Sequence, residues 1–144
     1  MKLLEVKPKA ECRWDLAAAY EPEVGVKKFI RKFEFTAPDK FVVTDDVETN
    51  APQIITAFLH ADNAIEKVSD NSFFFEPNGA PKLLVEIIEP SPAETKSEKN
   101  ILTAPGRPGS VDKGTREERG VRLAISTAKK VTDAKFITRL KIVK

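Results

Sequence analysis

Two neighbouring stretches of alternating side chains constrain the fold of this chain more than any other feature. Between residues 28 and 35 the phenylalanines lie on one side of an extended backbone and the flanking charges on the other: Phe29, Phe33 and Phe35 against Lys28, Lys32 and Glu34. This two-residue period is typical of a strand with one solvated face. The link over residues 36–40 contains Pro and Asp, so residues 41–47 can return antiparallel. The stretch predicts a hairpin with Arg31 as the only charge on its buried side.

Further short strands follow at intervals of roughly 8–12 residues, which is typical of a sandwich or barrel. We expect them over residues 13–20, 53–61, 64–68, 72–76, 82–88, 121–127 and 135–142. The strand at 53–61 should pair antiparallel with residues 41–47 about a turn at 50–52. Residues 89–120 hold several prolines and glycines and few large apolar side chains, so we expect a long irregular loop there with one short strand near residues 100–103. The predicted fold class is all-β, an antiparallel two-layer β-sandwich.

Composition bounds the size and the class of the protein. The 144 residues fit one domain, and 41% hydrophobic with 32% charged residues is a globular profile. The net charge is only +2, and the 24 basic residues are interleaved with 22 acidic ones, so no footprint for nucleic acid is visible. Neither a signal peptide nor an apolar run that suits a membrane is present. We therefore expect a single domain without nucleic-acid or membrane partners.

Residues able to carry chemistry are few. The chain has one His, one Tyr and one Cys, so a catalytic triad would have to use His60. The remaining cluster is Asp45, Asp46 and His60, which is incomplete as a metal site because such a site needs three or four converging ligands. The alternative interpretation is that both carboxylates make turn hydrogen bonds at a strand end and that His60 lies near the core. We expect no cofactor in this chain.

Aromatic side chains admit two interpretations. Exposed aromatic rings in a row can bind sugars, but aromatics at strand period are more often core, and core is expected for Phe29, Phe33, Phe35 and Phe136. In the run 73–75, alternation places Phe74 on the side opposite its neighbours. That ring is therefore either covered on a second side or exposed as a contact surface.

Several short segments follow one another in a familiar order: Asp15-Leu16-Ala17-Ala18-Ala19-Tyr20, a strand with central Arg31, Phe41-Val42-Val43-Thr44-Asp45-Asp46-Val47, Phe58-Leu59-His60 and the closing strands through Leu140. This order resembles the C-terminal β-sheet region of heparinase II/III-like polysaccharide lyases. The resemblance implies a secreted or periplasmic parent that cleaves acidic polysaccharide by β-elimination. It also implies an N-terminal catalytic domain on the same parent chain, since helical segments and the upstream His-Asn segment are missing here.

This resemblance implies roles for individual residues. The chain alone would be non-catalytic and would support the catalytic domain. Arg31, Trp14 and Tyr20 would contact acidic polysaccharide or the neighbouring domain, because Arg binds carboxylate or sulfate in a fork and aromatic rings stack on sugars. Asp45 and His60 match positions that hold a structural metal ion in some relatives. Two alternatives stay open: Arg31 as a buried structural residue, and the chain as a free-standing carbohydrate-binding or adhesive module.

Overall fold

The computed structural model describes residues 8–79 and 81–144, which form two antiparallel β-sheets. The strands are β1 (Lys9–Asp15), β2 (Val26–Thr36), β3 (Lys40–Gln53), β4 (Thr56–Ala61), β5 (Ile65–Ser69), β6 (Ser72–Phe75), β7 (Lys82–Glu89), β8 (Glu94–Pro105), β9 (Gly114–Ser126) and β10 (Val131–Val143). The large sheet has the order β1-β2-β3-β10-β7-β6-β5, and the small sheet has the order β4-β9-β8. The predicted all-β sandwich is confirmed.

The β2–β3 hairpin confirms the pairing predicted from the alternating stretch, but Arg31 is not the only charge on its buried side, because Asp45 lies there as well. Phe35 pairs with Phe41 and Arg31 with Asp45, so the two strands keep one register from the turn to the middle of the hairpin. Phe29 is buried on the inner face as expected, whereas Phe33 and Phe35 are only half-buried. The charges of Lys28 and Asp46 meet on the outer face at 2.7 Å.

The core lies between β6, β7 and β10 of the large sheet and β9 of the small sheet. Its buried members are Phe73, Phe75, Val85, Ile87, Leu123, Ile125 and Phe136. Phe74 points to the outer face, where the ammonium of Lys82 lies 4.3 Å from its ring centroid. The first three strands contribute no buried member to this cluster.

The inner face of β1–β3 is consequently more open than the rest of the large sheet. We call the aromatic and apolar residues there the open face: Trp14, Phe33, Phe35, Phe41 and Val43. Trp14 is 49% exposed and meets Phe33 edge-on, with 5.3 Å between ring centroids. Phe35 and Phe41 lie 4.8 Å apart.

The short strand expected near residues 100–103 lies within β8, but the irregular loop predicted for the rest of residues 89–120 is wrong, because β8 and β9 form a long hairpin there. Such a hairpin needs no apolar core, since its two strands satisfy each other's backbone groups and its side chains pair across the strands. Lys99 and Glu118, for example, form an ion pair at 3.0 Å. The prolines lie before β8, at its last residue and in the connecting turn, where they break no central ladder.

Two predicted strand boundaries are also wrong. The strand expected over 13–20 ends at Asp15, and Ala17–Ala19 forms a single 3₁₀ turn, in keeping with the low strand preference of alanine. The turn expected at residues 50–52 does not form, because β3 continues to Gln53. β4 then enters the small sheet and pairs with β9, so it is not the neighbour of β3. Within the described residues, no helix is long and apolar enough to cross a membrane.

Candidate functional site

A cavity of about 580 Å³, which we call the main cavity, lies between the inner face of β2–β3 and the start of β4. Its walls are mainly apolar and include Phe29, Val47, Phe58 and Phe136. The cavity forms where the core ends and the open face begins, because the small sheet extends over the large sheet only as far as β4. Two charged side chains, Arg31 and Asp45, also line it.

Arg31 and Asp45 form a bidentate ion pair in this cavity. The Nε of Arg31 donates to one carboxylate oxygen of Asp45 at 2.6 Å, and Nη2 donates to the other oxygen at 2.7 Å. Asp45 is only 5% exposed, whereas the side chain of Arg31 is about a third exposed. The guanidinium carbon also lies 5.4 Å from the ring centroid of Phe29. The fork geometry fixes the guanidinium plane against the cavity wall.

Hydrogen bonds to Asp45 raise the pKa of Arg31 above its ordinary value, although partial burial acts in the opposite direction. Arg31 therefore stays a permanent cation. Its Nη1 makes no hydrogen bond to any side chain or carbonyl in the described part of the chain. A donor is thus available to an acceptor that enters the cavity, although Asp45 already compensates the net charge.

Tyr20 and Trp14, the two aromatic residues predicted to bind substrate, occupy different positions. Tyr20 lines the cavity and lies 5.8 Å from Phe29 between ring centroids, with nearly half of its surface exposed. Trp14 lies directly across from Arg31 on β1, but it packs against Phe33 outside the cavity lining. The structure therefore brings Arg31 and Tyr20 into one cavity and leaves Trp14 beside it on the open face.

Asp45 and His60, the predicted metal ligands, lie on different sheets. Asp45 lies in the interior of β3 and uses both oxygens for Arg31, whereas His60 is exposed on β4 and lines a separate cavity with Asp62 and Glu76. Within residues 8–79 and 81–144, no group of three or more His, Cys, Asp or Glu is arranged to hold a metal ion. The two side chains do not fit one metal centre by themselves. A structural metal in the parent stays a prediction that requires further ligands.

The alternative interpretation of these residues is wrong in its details. The two carboxylates do not make turn hydrogen bonds, because both lie in the interior of a strand and form ion pairs with Arg31 and Lys28. His60 is exposed, although it lines a cavity with the buried Phe75. The alternation of the first hairpin would have been enough to place Asp45 opposite Arg31, since the pairing of Phe35 with Phe41 fixes that register.

One cluster on the outer face of the small sheet was not predicted. The guanidinium of Arg122 lies 4.6 Å from the ring centroid of Phe58, and its Nε donates to Glu98 at 2.8 Å. This hydrogen bond is the main cause of a lowered pKa for Glu98. No local pattern indicates the cluster, because β4, which carries Phe58, pairs with β9 only across 60–70 residues of sequence.

Comparison with solved structures identifies the fold as that of one region of heparinase structures. A heparinase III gene product with methylated lysines matches 96% of this chain with a TM-score of 0.70 and 17% identity. Heparan sulfate lyase HepC from Pedobacter heparinus matches 99% with a TM-score of 0.70 and 11% identity. Another heparinase III structure matches 99% with a TM-score of 0.67 and 14% identity. The predicted resemblance to a heparinase-like domain is thereby confirmed at the level of fold.

The match covers only part of those proteins. The chain spans about a fifth of their length, 20% of the first and 21% of the other two. No protein-family model matches the sequence. No curated protein matches it either.

Proposed function

We propose that this chain is the C-terminal β-sandwich domain of a heparinase II/III-like polysaccharide lyase that acts outside the cytoplasm. In this proposal the chain is not catalytic by itself and supports the catalytic domain of the same parent polypeptide. The observation that carries the proposal is the fold match, which spans nearly the whole of this chain and about a fifth of each heparinase structure.

The chemistry of the described residues supports a non-catalytic role. β-Elimination requires a base and an acid that can both reach the substrate. In the main cavity the one carboxylate is engaged by Arg31, and the sole histidine of the chain lines a separate cavity. The acid and base would therefore come from the preceding domain.

Contact with acidic polysaccharide is proposed at the mouth of the main cavity. Tyr20 offers a half-exposed ring there, and Arg31 offers Nη1 as a donor to a sulfate or carboxylate. Because Asp45 compensates the charge of Arg31, the attraction for a polyanion is local and depends on hydrogen bonds more than on net charge. We therefore expect weak binding by the isolated chain.

The decisive experiment is to express the complete parent reading frame and the 144-residue chain side by side. We expect the parent to release unsaturated uronate from heparan sulfate, which is followed by ultraviolet absorbance, and the chain alone to release none. A reading frame without a further domain, or product release by the isolated chain, would overturn the proposal.

A free-standing carbohydrate-binding module is the second candidate, favoured by the exposed ring of Tyr20 beside Arg31. Isothermal titration of the isolated chain with heparin, heparan sulfate and alginate fragments separates the two functions. Micromolar binding that is lost in Arg31→Met and kept in Arg139→Met would favour the module. Arg139 is a matched control because it forms a bidentate pair with Glu86 on the outer face.

A further inference from the structure

The small sheet has one edge that lacks the usual protection against further pairing. The two sheets end in the edge strands β1, β5, β4 and β8. Natural sheets protect exposed edges with charged residues or proline. β1, β5 and β8 each carry Lys or Arg together with Asp or Glu, whereas β4 reads Thr-Ala-Phe-Leu-His-Ala and carries none of the four.

The backbone of β4 is also oriented for pairing on its outer side. The N–H of Thr127 donates to the carbonyl of Ile55 at 3.0 Å, so Ile55 faces β9. Antiparallel strands alternate in the direction of their backbone groups. The N–H and C=O groups of Thr56, Phe58 and His60 therefore point away from β9, and none of the described residues pairs with them.

The space beyond this edge is bounded by an apolar surface. The large sheet has seven strands and the small sheet three, so the inner face of β2–β3 lies partly uncovered next to β4. The main cavity opens there, and the side chains of Ile54 and Phe58 at its rim are exposed. A strand placed about 4.8 Å beyond β4 would extend the small sheet over this cavity.

We propose that the outer edge of β4 receives an additional antiparallel or parallel strand from the parent polypeptide, outside these 144 residues. The inference rests on the proposed function, in which the parent is several times longer than this chain. The chain matches only 20–21% of the heparinase structures, so ample polypeptide exists in such a parent to supply the strand. In the added strand, every second side chain would be apolar and would face the cavity beside Tyr20 and Phe29.

Hydrogen exchange of single backbone amides tests the inference. The isolated chain and the complete parent are exchanged in deuterated buffer and analysed by mass spectrometry with residue-level fragmentation. We expect the amides of Phe58 and His60 to exchange at least about a hundred-fold more slowly in the parent. The amides of Ala57 and Leu59 should be protected in both, because they face β9.

A proline variant and a matched control sharpen the test. His60→Pro removes an outward N–H from β4, and Ser97→Pro removes an outward N–H from β8, the other edge of the small sheet. In the parent, His60→Pro should raise the exchange rate of Phe58 at least about ten-fold, and Ser97→Pro should leave it unchanged. Thermal unfolding of each isolated variant verifies that it folds.

The outcomes separate this inference from the proposed function. Equal exchange of Phe58 in an active parent lyase and in the isolated chain overturns the inference and leaves the function standing. Protection that appears in the isolated chain and grows with its concentration also overturns it, because the partner is then a second copy. A parent without lyase activity would contradict the proposed function, regardless of how fast the amide of Phe58 exchanges.

Discussion

Arg31 and Asp45 face each other across β2 and β3, and two parallel hydrogen bonds of 2.6 and 2.7 Å join their side chains. The pair lies on the inner face in the same cross-strand row as Trp14 and Phe136. A carboxylate in this position is removed from water, while the guanidinium keeps partial access to it. The pair therefore links the open face to the buried core.

Loss of Arg31 should destabilise the chain. Arg31→Met leaves the carboxylate of Asp45 buried without its partner, and we expect a loss of about 2–4 kcal/mol in the free energy of unfolding, below the full cost of a completely buried pair. Chemical denaturation measures it. Lys28→Met is the control, because the Lys28–Asp46 pair is more exposed and its loss should destabilise the chain clearly less than the loss of Arg31. Equal losses of unfolding free energy in both variants would show that the burial of Asp45 does not determine the destabilisation caused by Arg31→Met.

Leu123 is expected to be the most sensitive single core position of the small sheet. It has no exposed surface, so Leu123→Ala leaves a cavity between the sheets and should cost about 3–4 kcal/mol. Leu102→Ala makes the same chemical change on the exposed β8–β9 hairpin and should cost about 1 kcal/mol or less. Denaturant midpoints of the two variants give the comparison, and similar midpoints would contradict it.

Gly120 should not tolerate a side chain for two reasons, its backbone conformation and a steric collision, and a comparison with Gly109 separates the two. It has a φ of +74°, and a Cβ added to it would collide with the carbonyl oxygen of Ala61. Gly109 has a φ of +77° with nothing within 4 Å of an added Cβ. We expect Gly109→Ala to cost about 1–2 kcal/mol from the backbone conformation alone. Gly120→Ala should cost clearly more, and equal thermal shifts would rule out the collision.

The stability of the chain should fall in acid, in part through Glu76. Its carboxylate accepts hydrogen bonds from the backbone N–H and the Nδ2 of Asn63, and these bonds lower the pKa of Glu76 below its ordinary value of 4.5. A lowered pKa in the folded state gives stability that is present above about pH 4.5 and is lost as the pH falls through the folded pKa. Glu76→Gln should therefore flatten the decline of the unfolding midpoint below about pH 5. Glu117→Gln is the control, since Glu117 is an exposed carboxylate on the β8–β9 hairpin, and an equal effect there would contradict the assignment.

Local pattern was sufficient to predict the first hairpin. Alternation and the turn both act within about twenty residues, so the pairing of Phe35 with Phe41 followed from neighbouring residues. The end of β3 could not be predicted in this way. Pro52 is tolerated there because it lies at a register shift between β3 and β10, where a missing N–H breaks no regular ladder.

The cavity depends on the long-range pairing of β4 with β9, which no local pattern specifies. β4 follows β3 closely in sequence but pairs with residues of β9 that lie 60–70 positions later. The sequence of β8 resembles that of a loop because its polar side chains form pairs across the strands and do not pack against a core. Alternation alone places Arg31 on the buried side of the hairpin, but the position of Tyr20 beside it depends on the turn after β1.

The position of β10 has a consequence for the order in which the molecule can assemble. This strand comes last of the ten in sequence, yet it lies in the middle of the large sheet between β3 and β7. A polypeptide that is synthesised from its amino end can form β1–β3 and β5–β7 only as two separate strand groups until residues 131–143 have emerged. The last thirteen-residue strand then joins them in one step, so vectorial synthesis delays the cooperative fold until nearly all of the chain is present.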